Sequence, residues 1–330
     1  MGGANRMNRR NFLGGSLAAA AVAGGAAGSG AEKAPSPVSG QAGAAVQPVE
    51  PHPTGMPYGR IGKAKISRLM LGGNLVSGCM HARDLHYVSQ LFRAYVTEEK
   101  LMQTLKVAEE NGINTVFESG AGFVRRYNKE FGGHMQIIPS IHPEIDQDER
   151  KLKDEIKGNV DAGVPALYVW GVAGDNLVKA GQVRVIAKAH GIPAGVGGHS
   201  LQVPMACEKE KVPCDFYVKT FHSDEYPSAT PKELRKEFIW LDGGKGWYDN
   251  MWCINPEETA EFMRTVTKPW IAFKILAAGA IQPRQGFSYA FRNGADLIAV
   301  GMFDFQIKGN CELARQMVAR NKDRSRPWRA

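Results

Sequence analysis

Two lysines stand inside short, mostly apolar runs of the sequence, where charged side chains are least expected. Lys274 lies within residues 271–276 and Lys219 within residues 215–220. Burial removes hydration from a lysine, which lowers its pKa and makes the neutral amine available as a base, proton shuttle or Schiff-base nucleophile. The alternative is an ion pair with a carboxylate such as Glu118. Lys274, Lys219 and Glu118 are therefore the candidate catalytic residues.

Three histidines occupy the ends of other strand-like runs. His142 follows the third run, His199 the fifth and His222 the sixth. Neighbouring strands lie about 4.8 Å apart, so imidazoles at adjacent strand ends can share one divalent metal ion. His142, His199 and His222 are the candidate metal ligands, with Glu118 able to complete the set. The alternative is that these histidines hydrogen-bond to loops.

Further residues near strand ends, or in a long insert, are of types that bind small polar molecules. The candidate substrate-binding residues are Asn74, His81, Trp170, Trp247 and Asp304. Gly279 and Gly301 follow the last two strand-like runs, where backbone N–H groups can hold an anion. Tight turns also require glycine, so this anion site is one of two interpretations of the same residues.

The elements that must position these residues alternate between strand-like and helical patterns. The eight strand-like runs cover residues 67–72, 113–117, 136–141, 166–170, 193–197, 215–220, 271–276 and 295–300. This alternation is typical of an α/β (β/α)₈ barrel, or TIM barrel, in which the carboxyl ends of all strands form one rim. A doubly wound sheet is the less favoured alternative, because no early GxGxxG turn is present.

A long irregular insertion follows the sixth strand, over residues 223–255. It contains an aromatic group made of Trp240, Trp247, Tyr248 and Trp252. A loop of this length in a compact domain is usually a lid or a binding loop. Because indole rings pack well on the C–H faces of sugars, the insertion favours a carbohydrate-like substrate. A loop with its own small core is the alternative.

The N-terminal residues resemble a twin-arginine export signal. Asn8-Arg9-Arg10-Asn11-Phe12-Leu13 is followed by an Ala/Gly-rich run and a small-residue cleavage site. We predict a signal peptide over residues 1–31, a flexible linker over 32–57 and the barrel domain over 58–330. The twin-arginine export machinery is then a partner, and the mature chain is periplasmic or extracellular. The apolar run is too short and too rich in glycine to be a stable membrane anchor.

Charge and cysteine content narrow the class of protein further. The formal charge is +8, and Arg6, Arg9 and Arg10 would leave with the signal peptide. The remaining basic residues are scattered among acidic ones, which argues against a nucleic-acid partner. The five cysteines form no CxxC motif and are expected to be mostly buried small hydrophobic residues. A bridge between Cys207 and Cys214 after export is the alternative.

Two segments resemble aldo/keto reductases. Tyr58-Gly59-Arg60-Ile61-Gly62-Lys63, followed by Ile66 to Gly73, is similar to the family's opening hairpin and first strand, and Glu109 to Asn114 to the junction before its second strand. Segments 78–85, 193–199 and 270–279 also resemble a set of exported barrels related to that family. The resemblance implies a barrel and, for a working reductase, a nicotinamide cofactor such as NADP.

The catalytic residues that the resemblance implies are not all present. A reductase would have Asp at the end of the second strand, Lys at the end of the third and His at the end of the fourth. This chain has Glu118, His142 and Trp170 at those places, and Tyr127 is the only tyrosine near the expected position.

The sequence therefore predicts an exported barrel enzyme acting on a small polar, carbohydrate-like molecule. The expected chemistry is proton transfer assisted by a divalent metal or by Lys and His, as in an isomerase, epimerase or lyase. Two alternatives remain open: an NADP-dependent reductase with an altered tetrad, and a sugar-binding barrel without catalysis.

Overall fold

An antiparallel hairpin, β1 (Tyr58–Ile61) and β2 (Ala64–Ser67), precedes the barrel strands. The computed structural model describes residues 49–83, 85–145, 147, 149–182, 191–237 and 249–330. The signal peptide, most of the linker and Trp247 lie outside the described residues. Within the described ranges, no helix is both long enough and apolar enough to cross a bilayer.

Eight parallel strands close into a barrel in sequence order, which confirms the predicted (β/α)₈ fold. They are β3 (Leu69–Gly72), β4 (Thr115–Glu118), β5 (Gln136–Ile141), β6 (Leu167–Val169), β7 (Ala194–Gly198), β8 (Phe216–Thr220), β9 (Trp270–Phe273) and β10 (Leu297–Val300). The ring closes between β10 and β3, where Ile298 pairs with Leu69. The carboxyl ends of all eight strands therefore meet at one rim.

Helices follow the strands and cover the barrel. They are α1 (Gly73–Val76), α2 (His86–Tyr95), α3 (Glu98–Glu110), α4 (Ala121–Phe131), α5 (Glu149–Asp161), α6 (Gly171–Lys179), α7 (Gln202–Lys209), α8 (Pro256–Thr265), α9 (Pro283–Arg292) and α10 (Asp304–Arg320). Helix α3 is capped by Thr97, whose hydroxyl accepts a hydrogen bond from Lys100 N at 3.1 Å.

Side chains alternate between the barrel interior and the layer under the helices. In β8, Phe216 and Val218 belong to the interior cluster, whereas Tyr217 packs in the outer layer. Gly195 in β7 makes room for this filling, because a Cβ there would lie 2.4 Å from the Phe216 ring. The interior is therefore packed solid, and polar chemistry is confined to the rim.

A buried ionic cluster fixes the opposite end of the barrel. Asp296 accepts hydrogen bonds from Arg326 at 2.7 Å, from Arg324 at 2.9 Å and from the backbone of Trp270 at 3.0 Å. All three side chains of this ionic cluster are almost fully buried. These contacts join the start of β9, the start of β10 and the C-terminal segment, so this end serves stability.

Candidate active site at the barrel rim

Two charged rim residues, Glu118 and Lys274, have a left-handed backbone conformation. Glu118 ends β4 with φ +80°, and Lys274 follows β9 with φ +56°. A left-handed conformation costs a non-glycine residue about 1 to 2 kcal/mol, and such strain is concentrated at functional sites. The predicted strand 271–276 was wrong at its end, because the turn at Lys274 stops the pairing after Phe273. Alternation along a strand therefore does not set the direction of Lys274.

Lys274, His81 and Asp249 form a hydrogen-bonded chain. Lys274 Nζ lies 2.8 Å from His81 Nε2, and His81 Nδ1 lies 2.6 Å from Asp249 Oδ1. The carboxylate can only accept, so Nδ1 carries the proton and Nε2 presents a lone pair to the lysine. His81 was predicted to bind substrate; the structure places it beside the candidate base.

The insertion supplies two members of this site. Asp249 is held by the backbone N–H of Arg83 at 2.9 Å, and its own carbonyl accepts a hydrogen bond from the Trp252 indole at 2.9 Å. The Trp252 ring centre lies 3.9 Å from Lys274 Nζ, which is a cation–π contact. The described part of the predicted lid therefore reaches the rim through Asp249 and Trp252.

The pKa of Lys274 is lowered to about 8. Burial is the main cause, and the negative charges of Glu118 and Asp249 oppose it. Half of the amine is therefore neutral near pH 8, whereas a solvated lysine is almost fully protonated there. A neutral amine that can return to a stabilised ammonium form is suited to general base catalysis.

A second Asp–His pair, Asp175 and His199, lies next to Trp252. His199 Nδ1 is 2.7 Å from Asp175 Oδ2, and the backbone N–H groups of His199 and Ser200 both donate to the same carboxylate. The His199 ring centre is 4.7 Å from that of Trp252. Gly171 gives this ring its space, because a Cβ there would lie 2.9 Å from His199 Cε1. Burial lowers the pKa of His199, so its imidazole is neutral at pH 7.

The structure gives His222, predicted as a metal ligand, hydrogen bonds at both ring nitrogens. Its Nδ1–H donates to Ser223 O at 2.8 Å, while Nε2 accepts from the backbone N–H groups of Trp252 at 3.1 Å and Cys253 at 3.0 Å. Burial lowers its pKa to about 4. With both ring nitrogens engaged, His222 fastens the end of the insertion to β8.

His142, the third residue predicted to bind a divalent metal, has contacts of its own at the rim. His142 is exposed, packs on Trp170 with ring centres 5.1 Å apart, and lies 3.3 Å from the Ser140 hydroxyl. In the described ranges, no three His, Cys, Asp or Glu side chains are grouped as a metal site. The metal role of these residues remains a prediction.

Lys219 is not a neighbour of Lys274 in the hydrogen-bonded chain. It is 1% exposed, and its ammonium donates to Thr220 O at 2.8 Å and to Thr220 Oγ1 at 3.2 Å. It alternates with Val218, whose side chain fills the barrel interior, so Lys219 starts from the outer face of β8. We therefore place Lys219 among the residues that hold the rim.

The other predicted site residues fall into separate places. Asp304 begins α10 and bonds Tyr95 at 2.6 Å and Lys100 at 3.0 Å, so it ties helices together. Asn74 lies on α1, directly after β3, and is partly exposed. Gly279 and Gly301 are exposed in rim loops, and the anion role remains a prediction.

Tyr127 is not the tyrosine of a reductase tetrad. Its hydroxyl donates to Glu109 at 2.7 Å, and its ring packs in the outer layer between helices. The structure also adds two carboxylates that the sequence analysis missed, Asp175 and Asp249. Neither follows a strand-like run, and the Asp249–His81 contact spans 168 positions, so no local signal identified them.

No protein-family model matches this chain, and no curated protein matches it. Its structure is similar to that of a Pseudomonas aeruginosa protein provisionally described as an aldo-keto reductase, with TM-score 0.54, 14% identity and coverage of 79% of this chain and 95% of that one. A mandelate oxidase has TM-score 0.48 at 11% identity, covering 84% and 80% of the two chains. A truncated 3-deoxy-D-arabino-heptulosonate 7-phosphate synthase from Thermotoga maritima has TM-score 0.41 at 12% identity, covering 80% and 90%. At such identities the first similarity shows the barrel fold alone.

Proposed function

We propose that this chain is an enzyme that transfers a proton on a small polar carbonyl compound of carbohydrate type. The reaction is that of an isomerase, epimerase or lyase, with Lys274 as the base. The observation that carries this proposal is the chain Lys274–His81–Asp249, built on a strained rim residue whose pKa is lowered to about 8. Such a combination is typical of functional sites.

The chemistry needs only a carbon-bound proton next to a carbonyl group. The neutral amine of Lys274 takes that proton, the C–H electron pair moves into the carbonyl group, and an enolate forms. The new ammonium donates to His81 Nε2, whose other nitrogen is held by Asp249, so the charge is compensated where it develops. Return of the proton to the former carbonyl carbon, with the hydroxyl proton of the first carbon passing to the enolate oxygen, gives an isomer. Return to the opposite face of the first carbon gives an epimer.

Solvent deuterium exchange tests this proposal without knowledge of the natural substrate. A panel of aldoses, ketoses and hydroxy acids is incubated with the protein in D₂O, and loss of the carbon-bound proton is followed by NMR. For a compound that exchanges, Lys274→Met should slow the exchange at least about a hundredfold. Lys100→Met, which removes a lysine paired with Asp304 away from the rim chain, is the matched control. Equal exchange in wild type and Lys274→Met would refute the assignment.

Borohydride trapping separates a base from a Schiff-base nucleophile. If Lys274 acts as a base, reduction in the presence of an exchanging compound leaves the mass of the protein unchanged. A mass increase located at Lys274 would replace the base with a covalent role for the same residue. The reductase alternative has its own readout, which is oxidation of added NADPH by the same panel.

We also propose that the chain reaches the periplasm or the exterior through the twin-arginine route. The residues that support this are Arg9, Arg10, Phe12 and Leu13 in the order that the export signal requires. Replacing both arginines with lysine should keep the full-length chain inside the cell. Continued export and processing of that variant would contradict the proposal.

A further inference from the structure

Glu118 presents a carboxylate at the rim whose charge raises the pKa of Lys274 but which is not hydrogen-bonded within the chain Lys274–His81–Asp249. Its oxygen Oε1 accepts a hydrogen bond from the Trp170 indole at 3.1 Å. Across the described part of the chain, Trp170 is the residue that meets this carboxylate with hydrogen-bond geometry. Both side chains are partly exposed, and the His142 ring packs against the Trp170 indole.

Tyr168 faces this carboxylate from the barrel interior. The residue is 1% exposed and its ring stacks on Phe117 with centres 4.9 Å apart. Its buried hydroxyl meets no described residue at hydrogen-bond geometry, although Glu118 and Ser140 lie beside it. A buried hydroxyl without a partner is unfavourable, and native structures keep few of them. Burial raises its pKa well above 10, so the hydroxyl stays a donor.

The backbone conformation of Glu118 is an independent reason to infer that its carboxylate binds a ligand. The residue holds φ +80°, a region that glycine would adopt without strain. Gly120, two positions later, is a glycine with φ +103°, so the chain uses glycine nearby where only geometry is required. A partly exposed carboxylate kept in a strained conformation, with the Trp170 indole donating to it and the Tyr168 hydroxyl beside it, is suited to accept a further hydrogen bond from a ligand.

We propose that Glu118 and Trp170 form a subsite for the hydroxyl groups of a polyhydroxy substrate. Glu118 accepts from a substrate hydroxyl, and the indole of Trp170 covers the C–H face of the same segment. Tyr168 is a positioning residue. When a ligand is bound, its hydroxyl donates a hydrogen bond to the Glu118 carboxylate from the interior side of the barrel. This inference rests on the proposed function only in placing the carbonyl end of the substrate at Lys274.

Sorbitol is the probe, because it has several adjacent hydroxyl groups and no carbonyl group to react. Its binding to the full chain is measured by ligand-detected NMR and calorimetry, with 1,6-hexanediol as a probe that lacks adjacent hydroxyls. Sorbitol should bind to wild type, and Glu118→Gln should raise the Kd for sorbitol about tenfold. Tyr168→Phe should raise the Kd for sorbitol by a smaller factor than Glu118→Gln does. Glu110→Gln, an exposed carboxylate on α3, is the matched control and should leave the Kd unchanged.

Failure of this inference is distinguishable from failure of the proposed function. No sorbitol binding, equal binding of 1,6-hexanediol, or an unchanged Kd in Glu118→Gln would each overturn the subsite. Deuterium exchange that still depends on Lys274 would then leave the proton-transfer proposal standing. Conversely, Glu118-dependent sorbitol binding with no Lys274-dependent exchange would support the subsite and refute the proposed reaction.

Discussion

Lys274 Nζ lies 2.8 Å from His81 Nε2, although the two residues are 193 positions apart in the chain. The contact joins the turn after β9 to the loop region after β3, and Asp249 extends it into the insertion. Three separate segments thus meet at one amine. The properties of that amine, rather than the barrel itself, are what the following predictions test.

Removing the charge of Asp249 should lower the pKa of Lys274 below about 8. The Asp249 carboxylate raises the pKa of Lys274, whereas burial lowers it. In Asp249→Asn the lowering by burial is therefore opposed by less negative charge. The pH at which deuterium exchange reaches half its maximum should move down, and the maximal rate should fall because His81 loses the partner that fixes its tautomer. Asp304→Asn is the matched control and should leave the midpoint in place. An upward shift in Asp249→Asn would contradict the account.

His222 should make the folded state less stable as the pH falls from 6.5 to about 4. In this window the unfolded chain protonates the imidazole and the folded chain does not, so acid favours unfolding. The loss amounts to roughly 3 kcal/mol across the window. His222→Gln, which keeps an acceptor but does not titrate, should flatten that part of the stability curve measured by urea denaturation. His134→Gln, at an exposed site, should leave the curve unchanged.

Tyr168→Phe should leave the free energy of unfolding unchanged or slightly raise it. The hydroxyl that is removed is buried and meets no described residue at full hydrogen-bond geometry, so only its weaker contacts with Glu118 and Ser140 are lost against the cost of burying it. Tyr217→Phe is the comparison, because its hydroxyl donates to Glu208 at 2.6 Å and its removal should cost about 1 kcal/mol. A loss larger than 1 kcal/mol in Tyr168→Phe would show that the hydroxyl is bonded after all.

The barrel was predictable because parallel strands that are buried on both faces appear as short apolar runs. Helices α2 and α4 carry little sequence signal, since neither has a side-chain cap and α2 exposes Tyr87 and Leu91. Glu118, His81 and Lys274 were predicted as site residues from residue type and expected rim position, and their roles remain predictions. The end of β9 was not predicted, because no residue pattern indicates that a lysine adopts a left-handed backbone conformation.

The partners of the site residues could not be predicted for a different reason. Asp175 lies in the second turn of α6 and Asp249 in the insertion, and only the closed barrel brings each to its histidine. His222 shows the converse, because its position at a strand end is equally suited to a ligand and to a structural residue. The backbone donors from Trp252 and Cys253 support the structural role.

The pKa of Lys274 itself is the measurement that tests the central claim most directly, and it requires no substrate. The ¹³Cε chemical shift of labelled lysine is followed from pH 6 to 11, and the Lys274 signal is identified by its loss in Lys274→Met. The account predicts a midpoint near 8. A midpoint at the ordinary value of 10.5 would show that the amine is a solvated cation, and would contradict its assignment as the base.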